Sequence, residues 1–175
     1  KTPVIVTRYY DHGSLFKCIK RKIYHKWGYP NNSKDYNGTV YTKILYGVAR
    51  GVRYLHLSKI IHRDIKPENI VIDKFLRPYL ADFGFSKLLK ANQEQSGEMG
   101  SMIYMAPEIK EKDGRCKYSF AADIFALAIV FYEIAEGKTF DASNGELKKI
   151  QDLILKWSKK EETPKFKYAT KELQE

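Results

Sequence analysis

The stretch IIHRDIKPENI, residues 60–70, places an acid, a cation and an amide in one short loop between two apolar runs. These are Asp64, Lys66 and Asn69. A carboxylate accepts protons from reacting groups, and an ammonium group neutralises negative charge that develops during a reaction. Taken alone, the three side chains fit either a catalytic loop or an ordinary polar turn.

Further polar motifs follow this loop along the chain. The triplet DFG at residues 82–84 comes after an apolar run, and APE at residues 106–108 closes a stretch with little periodicity. Asp123 stands at the start of a long apolar segment. The order of these motifs makes an isolated polar turn a weaker explanation for the first loop.

Two long helices are predicted around the motifs. Apolar residues recur at helical spacing from Thr39 until the pattern stops near Ser58-Lys59, which predicts an amphipathic helix. The segment 121–135 is apolar on nearly every side and is followed by Gly137, which predicts a helix buried all round and ended by that glycine. This second helix should form the core of the domain.

Short strands should carry the loop itself. The runs 60–61, 70–72 and 79–81 are apolar and separated by polar turns, as in a small β-hairpin region. Residues 3–10 also resemble a strand, which leads through a turn at 11–14 into a short helix from about Leu15. The segments 28–38 and 84–106, rich in turn-forming and polar residues, predict an exposed loop and a mobile loop.

The composition is that of one globular domain. Of 175 residues, 43% are hydrophobic and 14% aromatic, which is enough for a buried core. Cys18 and Cys116 lie far apart and outside a C-x-x-C pattern, which favours a reduced interior over a disulfide scaffold or zinc site. The longest uncharged apolar run, Ile124–Tyr132, is too short for a bilayer, which takes roughly 20 residues. A cytoplasmic protein without a membrane span is expected.

The net charge of +10 raises the question of an acidic partner. A basic chain of this kind is compatible with nucleic-acid binding. Its lysines and arginines are, however, scattered in small groups among glutamates and aspartates, as on ordinary solvated faces. We therefore expect no nucleic-acid partner.

In order and spacing, HRD at residues 62–64 with Asn69, then DFG and APE, resemble the larger lobe of a protein kinase. The likeness covers nearly the whole chain and begins with VIVTRYYDHGSL, which looks like the last strand of the small lobe and the hinge. It implies an α+β fold, mainly α-helical, with a short β-hairpin region at the catalytic loop. Residues 1–175 would be a partial kinase domain, with residues 1–14 as the last small-lobe strand and hinge and 15–175 as a truncated large lobe.

The resemblance implies transfer of the ATP γ-phosphoryl group to a protein hydroxyl. Asp64 would accept the proton of that hydroxyl, and Lys66 would place a positive charge at the γ-phosphate. The Mg²⁺ ligands would be the Asn69 amide and the Asp82 carboxylate, because this ion prefers hard oxygen atoms. Lys66 within HRDIKPEN resembles serine/threonine kinases, and VIVTRYYDHGSL looks like their tyrosine-kinase-like group.

A nucleotide pocket on the hinge is also implied. Backbone groups of Arg8 and Tyr10 would bind the adenine, Thr7 would gate the space behind it, and Val71 would form its apolar floor. Ser14 falls where a polar residue meets the ribose, but a helix N-cap explains it equally well.

The likeness implies regulatory residues near the catalytic loop. Arg63 would bind a phosphorylated residue of the mobile loop, assisted by Lys87, and Ser96 is the nearest candidate acceptor. Partners would then include an upstream kinase or a scaffold besides ATP and the protein substrate. Ser101, in GSMIYMAPE, would instead contact Asp64 and Lys66 and help recognise a Ser or Thr substrate.

Other conspicuous residues have structural interpretations. We expect His62 to be buried in an internal spine with Phe83 and hydrogen-bonded to backbone, so that it is not a base. Asp123 should hold the backbone of the catalytic loop by hydrogen bonds. Ser86 should only pack, and the remaining histidines, including His56, should be ordinary surface or helix residues because they lack metal-ligand spacing.

Several parts of a complete kinase are not in this sequence. It has no G-x-G-x-x-G loop, no V-A-I-K strand and no late arginine to pair with Glu108, whose burial would then be costly. The small lobe and final helices are therefore expected to be missing, and these residues alone should not phosphorylate efficiently. Two explanations stay open: a piece of a complete kinase, favoured by the intact catalytic residues, or a truncated non-catalytic pseudokinase that binds a protein partner.

Overall fold

The computed structural model describes residues 4, 6–21, 38–88, 102–109, 118–140 and 147–160. Within them, the helices are α1 (Leu15–Lys20), α2 (Gly38–Leu57), α3 (Phe120–Glu136) and α4 (Leu147–Ser158). The strands are β1 (Gly13–Ser14), β2 (Ile60–Ile61), β3 (Ile70–Ile72), β4 (Pro78–Leu80) and β5 (Lys87–Leu88). Short 3-10 turns cover Pro67–Asn69, Met102–Tyr104 and Pro107–Ile109. The fold class is confirmed as mainly helical with small antiparallel sheets. None of the described helices has the length and apolar character needed to cross a membrane.

The predicted amphipathic helix is confirmed as α2. Ile44, Val48 and Val52 recur every fourth residue and are almost completely buried, and each such burial contributes roughly 1.5–3 kcal/mol. On another side of α2, a Cβ atom at Gly47 would lie 2.5 Å from Pro78 Cγ in β4. Glycine is therefore what allows β4 to pack so closely against this helix.

α3 is the second central helix, and it ends at Gly137 as predicted. Gly137 has a φ of 60°, and its N–H donates to the last carbonyl groups of α3. The prediction that this helix is buried all round is wrong, because Ala121, Ile124 and Ala128 are exposed. They recur at three- and four-residue spacing on one face, while the helix packs on α2 and the 102–104 turn elsewhere. Apolar composition alone does not reveal which face stays open.

The predicted hairpin region is present. β3 lies between β1 and β4 in an antiparallel sheet, with Ile70 opposite Leu80 and Val71 opposite both Tyr79 and Ser14. The flanking isoleucines of β3 are fully buried, whereas Val71 faces the other side and is half-buried. β3 and β4 thus form a paired support directly after the loop that contains Asp64.

Two expectations about irregular segments are corrected. The strand predicted over residues 3–10 does not occur at the described positions 4 and 6–10, where Val4 and Val6 are 82% and 91% exposed. No strand in the described ranges pairs with this stretch, and a strand needs such a partner. The predicted mobile loop 84–106 includes β5, which pairs with β2; residues 89–101 lie outside the described ranges.

Candidate active site

A buried carboxylate in the first turn of α3 holds the backbone of the loop that contains Asp64. Asp123 Oδ2 accepts a hydrogen bond from His62 N, and Oδ1 accepts one from Arg63 N, each at 2.9 Å. Arg63 has a φ of 72°, a left-handed conformation that is costly for a residue with a Cβ atom. The hydrogen bonds stabilise this strained backbone, and the predicted role of Asp123 is confirmed.

A second contact of Asp123 was missed by the sequence analysis. His56 Nε2, near the end of α2, lies 2.8 Å from Asp123 Oδ2. His56 is therefore more than the ordinary helix residue that was expected. The two residues are 67 positions apart, so no local pattern connects them.

His62 is completely buried beneath the loop. Burial lowers the pKa of His62, although nearby carboxylates such as Asp123 oppose this shift, so the imidazole is neutral. Its Nε2 lies 3.1 Å from Ala81 O, and its ring centre lies 5.1 Å from that of Phe83. The predicted burial of His62, its backbone hydrogen bond and its contact with Phe83 are confirmed, but Phe83 is 49% exposed, so the pair is not an internal spine. Ser86 does more than pack, because its Oγ donates a 3.2 Å hydrogen bond to His62 O.

The three residues that opened the sequence analysis meet in space. Asp64 Oδ2 lies 2.8 Å from Lys66 Nζ and accepts a 2.7 Å hydrogen bond from Asn69 Nδ2. Asn69 Nδ2 also donates to Asp64 O at 2.9 Å. The Asp64 side chain is only 4% exposed, so water screens its ion pair with Lys66 weakly. Both side-chain contacts fall on Oδ2, which leaves Oδ1 for a further donor.

The fold brings Asn69 and Asp82 to the same end of the β3–β4 pair. Ala81 N donates to Asn69 O at 2.8 Å, one residue before Asp82. Because Asn69 Nδ2 faces Asp64, its Oδ1 is the atom available to a cation. Asp82 is exposed, has a φ of 58° and accepts from Gly84 N through Oδ1 at 3.2 Å. An amide oxygen and a carboxylate both belong to the hard oxygen donors that Mg²⁺ prefers.

The predicted hinge residues lie beside the β1–β3–β4 sheet. The ring centres of Tyr10 and Tyr79 are 5.2 Å apart, and the Arg8 guanidinium lies over both rings. Arg8 Nη2 is also 3.6 Å from Asp73 Oδ2. Thr7 is exposed. These contacts fix Arg8 and Tyr10 against the sheet, and the nucleotide roles of all three hinge residues stay predictions.

Ser14 and Val71 are paired neighbours in this sheet. Ser14 Oγ accepts a 3.4 Å hydrogen bond from Lys17 N and caps α1. The N-cap explanation for Ser14 is thus confirmed, and a ribose contact stays a prediction. Val71 is half-buried on the sheet face away from the core, which is compatible with the predicted adenine floor.

The Arg63 side chain is buried and incompletely satisfied. Its guanidinium carbon lies 4.2 Å from the centre of the Tyr118 ring. Its Nε and Nη2 atoms have no hydrogen-bond partner within the described part of the chain. A pocket lined by Arg63, Asp64, Ile109 and Tyr118 opens beside them. Buried donors of this kind are costly unless they are paired, so the position fits an anion.

The other predicted regulatory residues are only partly described. Lys87 is exposed on β5 and lies opposite Ile61. Ser96 and Ser101 lie outside the described ranges. Their predicted roles stay predictions.

A buried glutamate next to the APE segment was not identified from the sequence. Glu133 in α3 is 0% exposed, and it accepts hydrogen bonds from Tyr104 OH at 3.1 Å and from Phe140 N at 2.7 Å. Burial raises the pKa of Glu133 to about 8, although these hydrogen bonds oppose the shift. Burial and the neighbouring Glu133 also raise the pKa of Tyr104. Glu108, which was expected to be buried without a partner, is instead exposed, so the expected cost does not arise.

Asp73 organises the turn between β3 and β4. Its fully buried carboxylate accepts hydrogen bonds from Phe75 N, Arg77 N, Arg77 Nε and Tyr79 OH. Burial alone would raise the pKa of Asp73, but the hydrogen bonds led by Arg77 outweigh it and lower the pKa to about 2. An aspartate before a tight turn is a recognisable turn signal. This signal could have identified Asp73 from the sequence.

Comparison with known sequences defines the family. The sequence model of the protein kinase domain matches residues 1–175. The chain belongs to the protein kinase family.

Three of the relatives are named as serine/threonine kinases. Over 133 residues the chain is 32% identical to a Dictyostelium discoideum protein named "Probable serine/threonine-protein kinase", covering 76% of this chain and 13% of that one. It is 34% identical over 142 residues to receptor-interacting serine/threonine-protein kinase 2 of Bos taurus, covering 77% and 25%. It is 34% identical over 120 residues to a G-type lectin S-receptor-like serine/threonine-protein kinase of Arabidopsis thaliana, covering 65% and 14%. The chain thus spans a quarter or less of each of these relatives.

Proposed function

We propose that this chain carries the catalytic loop of a serine/threonine protein kinase, which transfers the γ-phosphoryl group of ATP to Ser or Thr hydroxyls. The observation that carries the proposal is the contact of Lys66 Nζ and Asn69 Nδ2 with one oxygen of Asp64. Asp64 is held in place by these contacts, and its Oδ1 orients the acceptor hydroxyl and takes its proton. Lys66 supplies positive charge at the transferred phosphoryl group.

Asn69 and Asp82 would hold Mg²⁺ in this proposal. The backbone bond from Ala81 N to Asn69 O supports this, because it joins the segments that carry the two residues at one end of the β3–β4 pair. When bound, the ion neutralises charge on the phosphate oxygens. The chain's own contribution is to orient the amide and the carboxylate before the ion arrives.

ATP would lie against the hinge. Backbone groups of Arg8 and Tyr10 would bind the adenine, with Thr7 behind it and Val71 below it. The stacking of Arg8 on Tyr10 supports a fixed hinge backbone. Ser14 Oγ already accepts from Lys17 N as the cap of α1, so a ribose contact would use its O–H donor or its second lone pair.

The expected acceptors are Ser and Thr. Lys66 next to the catalytic aspartate and the serine/threonine kinase names of the relatives support this choice. A place in the tyrosine-kinase-like group and a cytoplasmic location remain part of the proposal.

Arg63 is the proposed switch for an upstream kinase or scaffold. Nε and Nη2 of its guanidinium group, which have no partner among the described residues, support binding of a phosphorylated loop residue, with Ser96 as acceptor and Lys87 as a second cation. Ser101 would contact Asp64 and Lys66 in the catalytic loop rather than carry the phosphate.

A radiolabelled γ-phosphate transfer assay on the protein isolated at its native length tests the proposal. Asp64→Asn should abolish transfer, because an amide does not accept the hydroxyl proton. Asp152→Asn, the same chemical change at an exposed position of α4, should leave transfer unchanged. Phosphoamino-acid analysis should find phosphoserine or phosphothreonine.

Two results would contradict it. Transfer that survives Asp64→Asn would mean that Asp64 is not the base. No transfer by a correctly folded native-length protein would favour the non-catalytic pseudokinase, whose surfaces bind a protein partner.

A further inference from the structure

The outer face of α2 carries side chains that the candidate active site does not use. This row, the α2 stripe, consists of Lys43, Tyr46, Arg50, Arg53, Tyr54 and Leu57, all of them exposed. Spacings of three and four residues place them on one side of the helix, opposite the buried face that packs on the core. The exposed fractions of Tyr46, Tyr54 and Leu57 are 63%, 71% and 64%. Large apolar side chains exposed together on one helix face are typical of interaction sites.

The α2 stripe combines apolar surface with positive charge and no negative charge. α2 contains no acidic residue. The Arg50 guanidinium lies 5.7 Å from the centre of the Tyr46 ring, so the cation and the aromatic surface form one patch. Tyrosine and arginine are the residue types that dominate binding energy in protein interfaces.

One end of the stripe is anchored to the rest of the fold. Lys43 Nζ donates a 2.7 Å hydrogen bond to Phe75 O in the β3–β4 turn. Gly47 and Gly51 hold β4 closely against a neighbouring side of α2. The helix therefore presents its stripe as a rigid surface, which lowers the ordering cost of binding.

We propose that the α2 stripe is a docking site for an acidic amphipathic helix of a partner protein. Carboxylates of that helix pair with Arg50 and Arg53, and its apolar residues pack on Tyr46, Tyr54 and Leu57. Lys43 to Leu57 span about 21 Å at 1.5 Å per residue, which accommodates about four turns of a partner helix. This inference does not depend on the catalytic proposal, because no residue of the stripe belongs to the candidate active site.

The chemistry favours an acidic helix over nucleic acid. The stripe offers three cations, one of them already bonded to Phe75 O, whereas proteins that bind nucleic acid through phosphates commonly make roughly 6–10 such contacts. A second copy of this chain is disfavoured as well, because two stripes would bring like charges together.

Fluorescence anisotropy with two labelled helical peptides tests the proposal on the native-length protein. The first peptide has glutamate and leucine at helical i, i+3 and i+4 spacing over four turns, and the second replaces every glutamate by glutamine. We expect the glutamate peptide to bind at least about tenfold more tightly at low salt. Added salt should reduce this difference because it screens exposed charges.

Charge reversal of the stripe provides the decisive variant. Arg50→Glu with Arg53→Glu should weaken the glutamate peptide at least about tenfold and create binding to a lysine version of the same peptide. Lys138→Glu with Lys160→Glu reverses two exposed cations outside α2 and should change neither affinity. Tyr54→Ser should weaken the glutamate peptide without altering its salt dependence.

Several results would overturn the proposal. They are equal binding of the glutamate and glutamine peptides, no binding of either, or an affinity that the arginine reversal does not change. Tighter binding of a single-stranded RNA oligonucleotide, abolished by the same reversal, would assign the stripe to nucleic acid. Sedimentation that reveals a stripe-dependent dimer would assign it to a second copy of the chain.

Discussion

The buried floor of the candidate active site, around Asp64 and Asp123, and the side proposed to face the nucleotide are built in opposite ways. In the floor, Asp64 and Asp123 are buried and hydrogen-bonded to neighbours within the same core. On the other side, Thr7, Asp82 and Phe83 are exposed. The geometry around Asp64 is thus a property of the packed helical core, whereas Thr7, Asp82 and Phe83 belong to open surface.

Because of this difference, substitutions in the two regions should have different effects. Changes in the floor should first reduce the free energy of unfolding, because they leave buried groups unpaired. Changes on the open side should affect ligand binding and leave the free energy of unfolding nearly unchanged. Substitutions of comparable chemistry in the two regions therefore test whether the regions differ in this way.

Asp123→Ala should have the largest effect on stability. It removes the acceptor for His62 N and Arg63 N, leaves two buried N–H groups unpaired and releases the strained φ of Arg63. Removing one partner from a buried charged network costs about 3–5 kcal/mol. Urea unfolding measures this loss, with Asp152→Ala at an exposed site as the control. A loss below about 1 kcal/mol would show that the floor does not depend on this carboxylate.

Asp73→Ala tests whether a buried, hydrogen-bonded carboxylate also stabilises the β3–β4 turn next to the hinge. Four hydrogen bonds to its carboxylate are lost, and we expect a cost of about 2–4 kcal/mol. The pKa of Asp73 is about 2 in the folded protein, against 3.8 for the free side chain. The carboxylate therefore contributes stability above the unfolded value, and this contribution is lost as the pH falls through 3.8 toward 2.

Acid unfolding curves provide the readout for Asp73. The unchanged protein should lose stability more steeply than Asp73→Ala over that acid range. Parallel curves would mean that the carboxylate is not charged and hydrogen-bonded as described.

Glu133→Gln should have a smaller effect that depends on pH. The pKa of Glu133 is about 8 in the folded protein and 4.5 for the free side chain. The folded protein thus holds the proton more tightly, and the stability present below the unfolded value is lost as the pH rises toward 8. The amide keeps an acceptor for Tyr104 and Phe140 but does not ionise. Relative to the unchanged protein, Glu133→Gln should therefore gain about 1–3 kcal/mol between pH 5 and pH 8.

Unfolding of both proteins in urea at several pH values measures this gain. The difference between them isolates Glu133, because other titrating groups are shared. A constant difference across this range would mean that Glu133 is already ionised at pH 5.

The sequence predicted what depends on local pattern. Three features were predicted because each lies within a short stretch of sequence. They are the apolar spacing of α2, the β-branched run of β3 and the residue types of the loop that contains Asp64. The cluster of Asp64, Lys66 and Asn69 followed from this short-range information. The resemblance to kinases supplied the expected partner of the loop, Asp123.

What the sequence missed depends on distant partners. His56 contacts Asp123 across 67 positions, and Tyr104 contacts Glu133 across 29, so neither pair has a local signature. The strand expected over residues 3–10 failed for the same reason, since β structure requires a neighbouring strand. The exposure of Ile124 likewise depends on which faces of α3 other elements cover.

Asp82→Asn should leave stability almost unchanged and is the sharpest test of the open side. Asp82 is exposed, asparagine tolerates the same positive φ, and its Oδ1 still accepts from Gly84 N. The free energy of unfolding should change by less than about 0.5 kcal/mol. The loss of the carboxylate charge should nevertheless remove the thermal shift produced by Mg²⁺ with ATP in the native-length protein, while Asp152→Asn retains it. If Asp82→Asn unfolds as readily as Asp123→Ala, the nucleotide side is part of the packed floor and the contrast between the two regions is wrong.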